Sequence, residues 1–174
     1  MILDINNVES LIQEWAWYRN ENFKYNWVVK GGWESWVQVD LVAYAFRVVG
    51  GVDIDVLREQ PVYKSPRRRV DLLFNANLAP TNQQIPVEIK AQSLNNASSF
   101  VPGLEADVEK ISSDLDVQYS KSKCLVMGIA STPEGESGMF NIRRGGGPIF
   151  KSVYSTGEVC VGIAIYNGEA WELA

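Results

Sequence analysis

Asp71, Glu88 and Lys90 are the residues of this 174-residue chain whose types and spacing suit chemistry best. Asp71 stands inside Arg67-Arg68-Arg69-Val70-Asp71-Leu72-Leu73-Phe74. Glu88 and Lys90 stand inside Ile85-Pro86-Val87-Glu88-Ile89-Lys90-Ala91-Gln92. Both are short apolar runs in which a plain core strand would carry no acid. Side chains alternate between faces along a strand. Glu88, Lys90 and Gln92 therefore share one face, and Val87, Ile89 and Ala91 the other. Pairing the two strands brings Asp71 to Glu88 and Lys90. Two carboxylates and an ammonium on a mostly apolar sheet suit divalent-metal phosphodiester chemistry. The plainer alternative is a structural ion-pair cluster, because a lone acid in a strand usually marks an exposed face.

The elements that must position these residues follow from periodicity. Val8, Leu11, Ile12 and Trp15 recur at helical spacing and predict an amphipathic helix over 7–19. Residues 22–26 read as a connection. Gly31-Gly32 opens a second helix, 33–49, apolar on nearly all sides and closed by Gly50-Gly51. Strands are expected over 52–63, 67–74 and 85–92, with a Pro80-containing hairpin loop between the last two. Asp53 and Asp55 alternate on the first of these and read as solvent-facing. A polar stretch, 93–103, ends in Pro-Gly. A third helix follows, with Leu104, Val108, Ile111 and Leu115 on one face and Glu105, Glu109 and Asp116 on the other. Residues 123–130 form a continuous apolar run that fits a strand covered on both faces. Residues 133–138 and 145–148 read as loops. A closing β-hairpin is expected over 158–173, turning at Asn167-Gly168.

An Asp, a gap of one hairpin, then Glu-x-Lys in a hydrophobic strand resembles the PD-(D/E)XK nuclease superfamily. The order of elements is similar too: helix with Glu, strand, strand with Asp, strand with Glu-x-Lys, helix, strand. The resemblance covers about residues 30–130. It implies a single α/β domain over 1–174. That domain would have a central mixed β-sheet flanked by helices, a restriction-endonuclease-like core, an N-terminal helix and a C-terminal hairpin. It also implies that Glu34, in Gly-Gly-Trp-Glu-Ser-Trp, joins the metal shell; an acid favoured by the helix dipole is the plainer reading. Val70 stands before Asp71 where the family often has Pro, which leaves the chemistry intact.

On this reading the protein is a Mg²⁺- or Mn²⁺-dependent phosphodiesterase that cleaves nucleic acid, DNA ahead of RNA. Mg²⁺ prefers hard oxygen ligands. Asp71, Glu88, Glu34 and the carbonyl of Ile89 are the expected ligands. A bound metal lowers the pKa of its water and stabilises phosphoryl charge. Lys90 would orient the attacking water or stabilise the transition state. Gln92 would either orient a phosphate or water, or merely cap the strand. Lys64, Arg67, Arg68 and Arg69 are expected to contact phosphates. Arg143 and Arg144 would do the same or form a mobile turn. The rival is a non-catalytic binding or interaction module on the same fold. A third reading is an acidic inhibitor without nucleic-acid contact. Duplex cutters of this kind often act as dimers, so a homodimer is among the implied partners.

Composition bounds these readings. The length suits one domain, and 46% apolar residues suffice for a proper core. A net charge of −5 weighs against a nucleic-acid partner unless the cations are gathered on one side. There is no histidine, which removes His-based catalysis and most zinc sites. Cys124 and Cys160 stand alone in apolar runs and are expected to be buried, reduced thiols. Five of the six tryptophans precede residue 37, so the N-terminal third is expected to be well packed or to form an interface. No signal peptide and no membrane-length run of ~18 apolar residues is evident, so a cytoplasmic protein is the default.

Overall fold

The structure, a computed structural model, describes residues 1–29, 33–50 and 54–174. Asp4 opens the first helix, α1 (Ile5–Asn26), with a reciprocal cap. Its Oδ1 accepts the Asn7 amide at 2.8 Å, and Asn7 Oδ1 accepts the Asp4 amide at 2.9 Å. Such caps contribute about 1 kcal/mol. Next come α2 (Trp33–Val49), β1 (Val56–Gln60), β2 (Val70–Phe74) and β3 (Ile85–Ala91). The chain continues through α3 (Phe100–Ser113), β4 (Cys124–Ala130) and α4 (Pro133–Phe140). It closes with two-residue strands β5 (Arg143–Arg144) and β6 (Gly147–Pro148), then β7 (Lys151–Ser155) and β8 (Cys160–Tyr166).

The fold is α/β, with one mixed sheet in the order β1-β2-β3-β4-β8-β7. Only β3 and β4 run parallel in it, and α3 is their crossover, as a parallel pair requires. Each sheet face has its own core. Leu72, Phe74, Val87, Ile89, Leu125, Met127 and Ile163 pack beneath α1 and α2. Leu73, Val126 and Ala164 pack beneath Phe100, Leu104, Val108 and Ile111 of α3 and Met139 of α4. Fully burying an aliphatic side chain of this size contributes about 1.5–3 kcal/mol. The α3-facing side of β3 is different: after Pro86 it carries Glu88 and Lys90.

Several boundaries differ from the sequence expectation. The 22–26 segment is helical, because Phe23 is fully buried, edge-on to Trp15 and tilted against Trp33 in the aromatic core. The Pro-Gly pair lies inside α3 and does not precede it. Pro102 falls in the first turn, where its missing N–H costs nothing. Residues 133–138 are helical: Thr132 Oγ1 accepts the Gly135 amide at 3.1 Å, and Pro133 fills the first helical position. The Asn167-Gly168 turn is present, with Gly168 at φ +94°. The strand after it makes only the Tyr166–Trp171 bridge, while the full antiparallel partner of β8 is β7. Both cysteines are free and buried. Trp15 and Trp33 are core residues, whereas Trp17 is 71% exposed. Gly31, Gly32, Gly51 and Asp53, on which some expectations fell, lie outside the described residues. Among the described residues no helix is long and apolar enough to cross a membrane.

Candidate active site

The site begins where β2 parts from β3. The ladder pairs Phe74 with Ile85, Leu73 with Pro86 and Leu72 with Val87. Beyond Leu72, carboxylates replace strand carbonyls as acceptors. Asp71 Oδ2 takes the Ile89 amide at 2.7 Å, and Glu34 Oε2 takes the Ala91 amide at 3.1 Å. Glu34 and Gln38 are one turn apart on α2 and share a face. Gln38 donates to Asp71 Oδ1 at 2.7 Å, and its own carbonyl accepts two bonds from the Arg58 guanidinium, at 2.7 and 3.1 Å. On the other side of β2 the ladder breaks as well. Arg58 pairs with Leu72 and Gln60 with Val70, but Glu59 between them has φ +54°. That left-handed backbone costs a non-glycine residue on the order of 1 kcal/mol. The Glu59 carbonyl accepts Arg69 Nη1 at 2.8 Å.

Glu88 points from β3 toward α3 and is 2% exposed. Its Oε1 accepts the Tyr63 hydroxyl and lies 2.8 Å from Lys110 Nζ. Lys110 also pairs with Asp107 Oδ1 at 3.0 Å. Lys90 Nζ stands 3.2 Å from Glu34 Oε1 and 3.9 Å from Asp107 Oδ2. Lys90 reaches this place across Gly103 of α3, where an added Cβ would lie 3.2 Å from its Cδ. Four carboxylates, on Glu34, Asp71, Glu88 and Asp107, thus face two ammonium groups, on Lys90 and Lys110.

This excess of acid leaves its mark on the protonation equilibria. Burial pushes Asp71 up to about 6, with Glu34 and Asp107 adding to the rise and the Ile89 amide opposing it. Burial pushes Glu88 up to about 8, with the Asp71 charge next and Lys110 opposing. Tyr63 is driven far up by burial and by Glu88, so its hydroxyl stays a donor. For Lys90 and Lys110, burial acts downward, but the surrounding carboxylates outweigh it and both are raised.

The donors suit a hard divalent cation in kind and in charge. They are oxygen-only, carry surplus negative charge, and include Asp107 Oδ2, which is buried and accepts no hydrogen bond. In the arrangement described, protein donors already occupy Asp71, Glu88 and Glu34. Among the described residues, no three acidic or thiol side chains are gathered closely enough to hold an ion as they stand.

The remaining expected residues fall in three places. Ile89 contributes its amide to Asp71. Gln92 is buried away from the acids. Its Oε1 accepts the Ser131 and Thr132 amides at 2.8 and 3.1 Å, and its Nε2 donates to Thr132 Oγ1 at 3.1 Å. This bonding ties β3 to the N-cap of α4 and leaves no side-chain polar atom of Gln92 without a partner. Two members of the basic run, Lys64 and Arg68, lie at the C-terminal end of α3. Lys64 donates to the Ser113 carbonyl at 2.7 Å, and Arg68 pairs with Asp114, one turn beyond Lys110. Arg67 is exposed. Arg144 stands 3.8 Å from Glu109 on the outer side of α3, and Arg143 donates to the Gly146 carbonyl at 3.2 Å.

Sequence reasoning missed Gln38, Tyr63, Asp107 and Lys110. Two of them carried a signal. Asp107 lies three residues after Leu104 and four before Ile111, inside the apolar stripe of α3. Gln38 lies between Trp33, Val37 and Leu41 in the stripe of α2. Polar residues in such positions need buried partners. Compared with known proteins, the chain matches no family model, no curated protein and no solved structure.

Proposed function

We propose that the protein is a metal-dependent nuclease that hydrolyses phosphodiester bonds, with DNA the favoured substrate. The observation that carries this reading is the gathering of Asp71, Glu88, Lys90 and Glu34 where β2 and β3 diverge, with carboxylates in excess over ammonium groups. Asp71 and Glu88 would hold Mg²⁺ or Mn²⁺, with Glu34 and Asp107 at its margin. A bound divalent ion supplies an acidified water and Lewis-acid stabilisation of phosphoryl oxygens. Lys90, braced by Glu34, offers a fixed positive charge to the phosphate as negative charge builds on it. Gln38 and the Ile89 amide keep Asp71 aimed. Arg68, paired with Asp114 at the C-terminal end of α3, and its exposed neighbour in the chain, Arg67, would offer phosphate contacts.

The test is incubation of purified protein with plasmid, linear and single-stranded DNA and with RNA, with and without Mg²⁺ or Mn²⁺. Cleavage that requires metal and is lost in Asp71→Ala is expected. Absence of cleavage on every substrate with either metal would sink the reading. One observation favours a second reading, a non-catalytic binding module: Asp71, Glu88 and Glu34 all have protein partners already. That reading predicts binding without turnover.

A further inference from the structure

Lys110 has the surroundings that a bound cation would have. Its Nζ bridges Glu88 Oε1 at 2.8 Å and Asp107 Oδ1 at 3.0 Å, and lies 5.1 Å from the Tyr63 ring centroid. Two buried carboxylates on neighbouring elements need such a counter-charge, because uncompensated buried charge is costly. Lys110 differs from Lys90 in one respect. Lys90 is anchored from the opposite layer by Glu34 on α2, whereas the acidic partners of Lys110 are Glu88, an expected ligand, and Asp107, at the margin of the same site. Lys110 also has a way out: its side chain keeps 20% exposure, against 3% for Glu88.

We infer that Lys110 is an internal counter-ion that takes the cation's place on Glu88 and Asp107 in the metal-free protein and yields it when a divalent ion binds, an inference that rests on the metal-dependent reading above. Cation exchange explains why Glu88 and Asp107 share an ammonium partner although carboxylates are in excess. Lys110 screens the two acids from one another until metal arrives. Its departure frees Asp107 Oδ1 and leaves Glu88 Oε1 with the Tyr63 hydroxyl, and Asp107 Oδ2 is already without a hydrogen bond. Metal affinity in the intact protein is therefore the affinity of the oxygens reduced by the cost of moving Lys110.

Calorimetric titration with Mn²⁺ of the parent, Lys110→Met and Lys110→Arg tests this. Methionine keeps the stem length without the charge, and should tighten Mn²⁺ binding by roughly tenfold or more, since a competing unit charge a few ångströms away is removed. Arginine keeps the charge and should leave affinity at or below that of the parent. Mn²⁺ binding that is unchanged or weaker in a folded Lys110→Met protein overturns the inference while leaving the metal site intact. Absence of Mn²⁺ binding to parent and variants alike overturns both the inference and the reading beneath it.

If Lys110→Met does not fold, the parent decides. With ¹⁵N-labelled lysine, the Lys110 ammonium signal, assigned by its loss in Lys110→Arg, should move toward that of a free lysine on saturation with Mg²⁺. An ammonium signal that stays in place under saturating Mg²⁺ overturns the inference.

Discussion

Lys90 crosses α3 at Gly103, its Cδ and Cε lying 3.2 and 3.3 Å from the position a Cβ would take there. The absence of a side chain at 103 is thus what lets the ammonium reach Glu34. Gly103→Ala should raise helix propensity by up to about 1 kcal/mol and crowd the lysine stem by a similar order, so the melting temperature should change little. Cleavage should nevertheless fall several-fold. Lys90→Ala, which removes the charge itself, should lower it by roughly 10²-fold. Thermal melts beside plasmid-nicking rates separate the two effects. A Lys90→Ala protein that nicks at the parent rate would remove Lys90 from the mechanism.

Metal binding should depend on Asp71 and Glu88 separately. Oxygen-only donors favour Mn²⁺ and Mg²⁺ over Zn²⁺. Titration with Mn²⁺ should give a single site that weakens at least tenfold, about 1.4 kcal/mol, in either alanine variant. Unchanged binding in both would exclude these carboxylates as ligands.

The raised carboxyl groups set a pH dependence of stability. Asp71 moves from 3.8 to about 6 and Glu88 from 4.5 to about 8. The folded state holds their protons more tightly than the unfolded chain does. Their contribution is therefore fully present below the ordinary carboxylate values and is lost as pH rises through 6 and then 8. In the presence of a chelator, the melting temperature should fall between pH 5 and pH 8. Glu88→Gln should flatten that fall, and added Mg²⁺ should reverse it by stabilising the charged, folded form. A chelated protein equally stable at pH 5 and pH 8 would contradict the assignment.

An acidic chain that holds a polyanion must divide its charge. Arg68 and Lys64 bond to the C-terminal end of α3, and Arg67 next to Arg68 in the chain is exposed. Replacing Arg67 and Arg69 together with Ala should reduce the slope of log affinity against log salt by up to about two contacts at about 0.9 each. Fluorescence anisotropy with a labelled duplex across a salt series measures it. An unaltered slope would place the phosphate path elsewhere.

The fold was legible wherever periodicity and burial agreed. The apolar stripe of α2 and the uninterrupted run of β4 gave their elements nearly to the residue. The divergence of β2 from β3 was not legible, because it depends on Asp71 and Glu34 accepting amides of β3, and side-chain-to-backbone bonds of this range leave no mark in local pattern. Of the two readings of Gln92, the strand-capping one matches its bonds. Its alternation with Lys90 is real, but the strand ends at Ala91 and the side chain turns to α4. α4 itself was missed because its glycines look like loop, although Thr132-Pro133-Glu134 is a helix start. Asp107 and Lys110 were hidden by reading α3 as two faces, one apolar and one acidic, when its buried face carries both signs.

The two carboxylates that extend the β3 ladder have a second consequence. Past Leu72, among the described residues, no ladder pairs β2 with Ile89 or Ala91, and strand amides without acceptors invite pairing with another chain. Asp71 and Glu34 close that margin and set negative charge along it, which repels an incoming strand. Removing either acid therefore leaves buried strand amides without acceptors, a seam open to self-association wherever the structure loosens. Variants at these positions should be handled dilute, since edge-to-edge pairing rises with concentration and would mimic a folding defect.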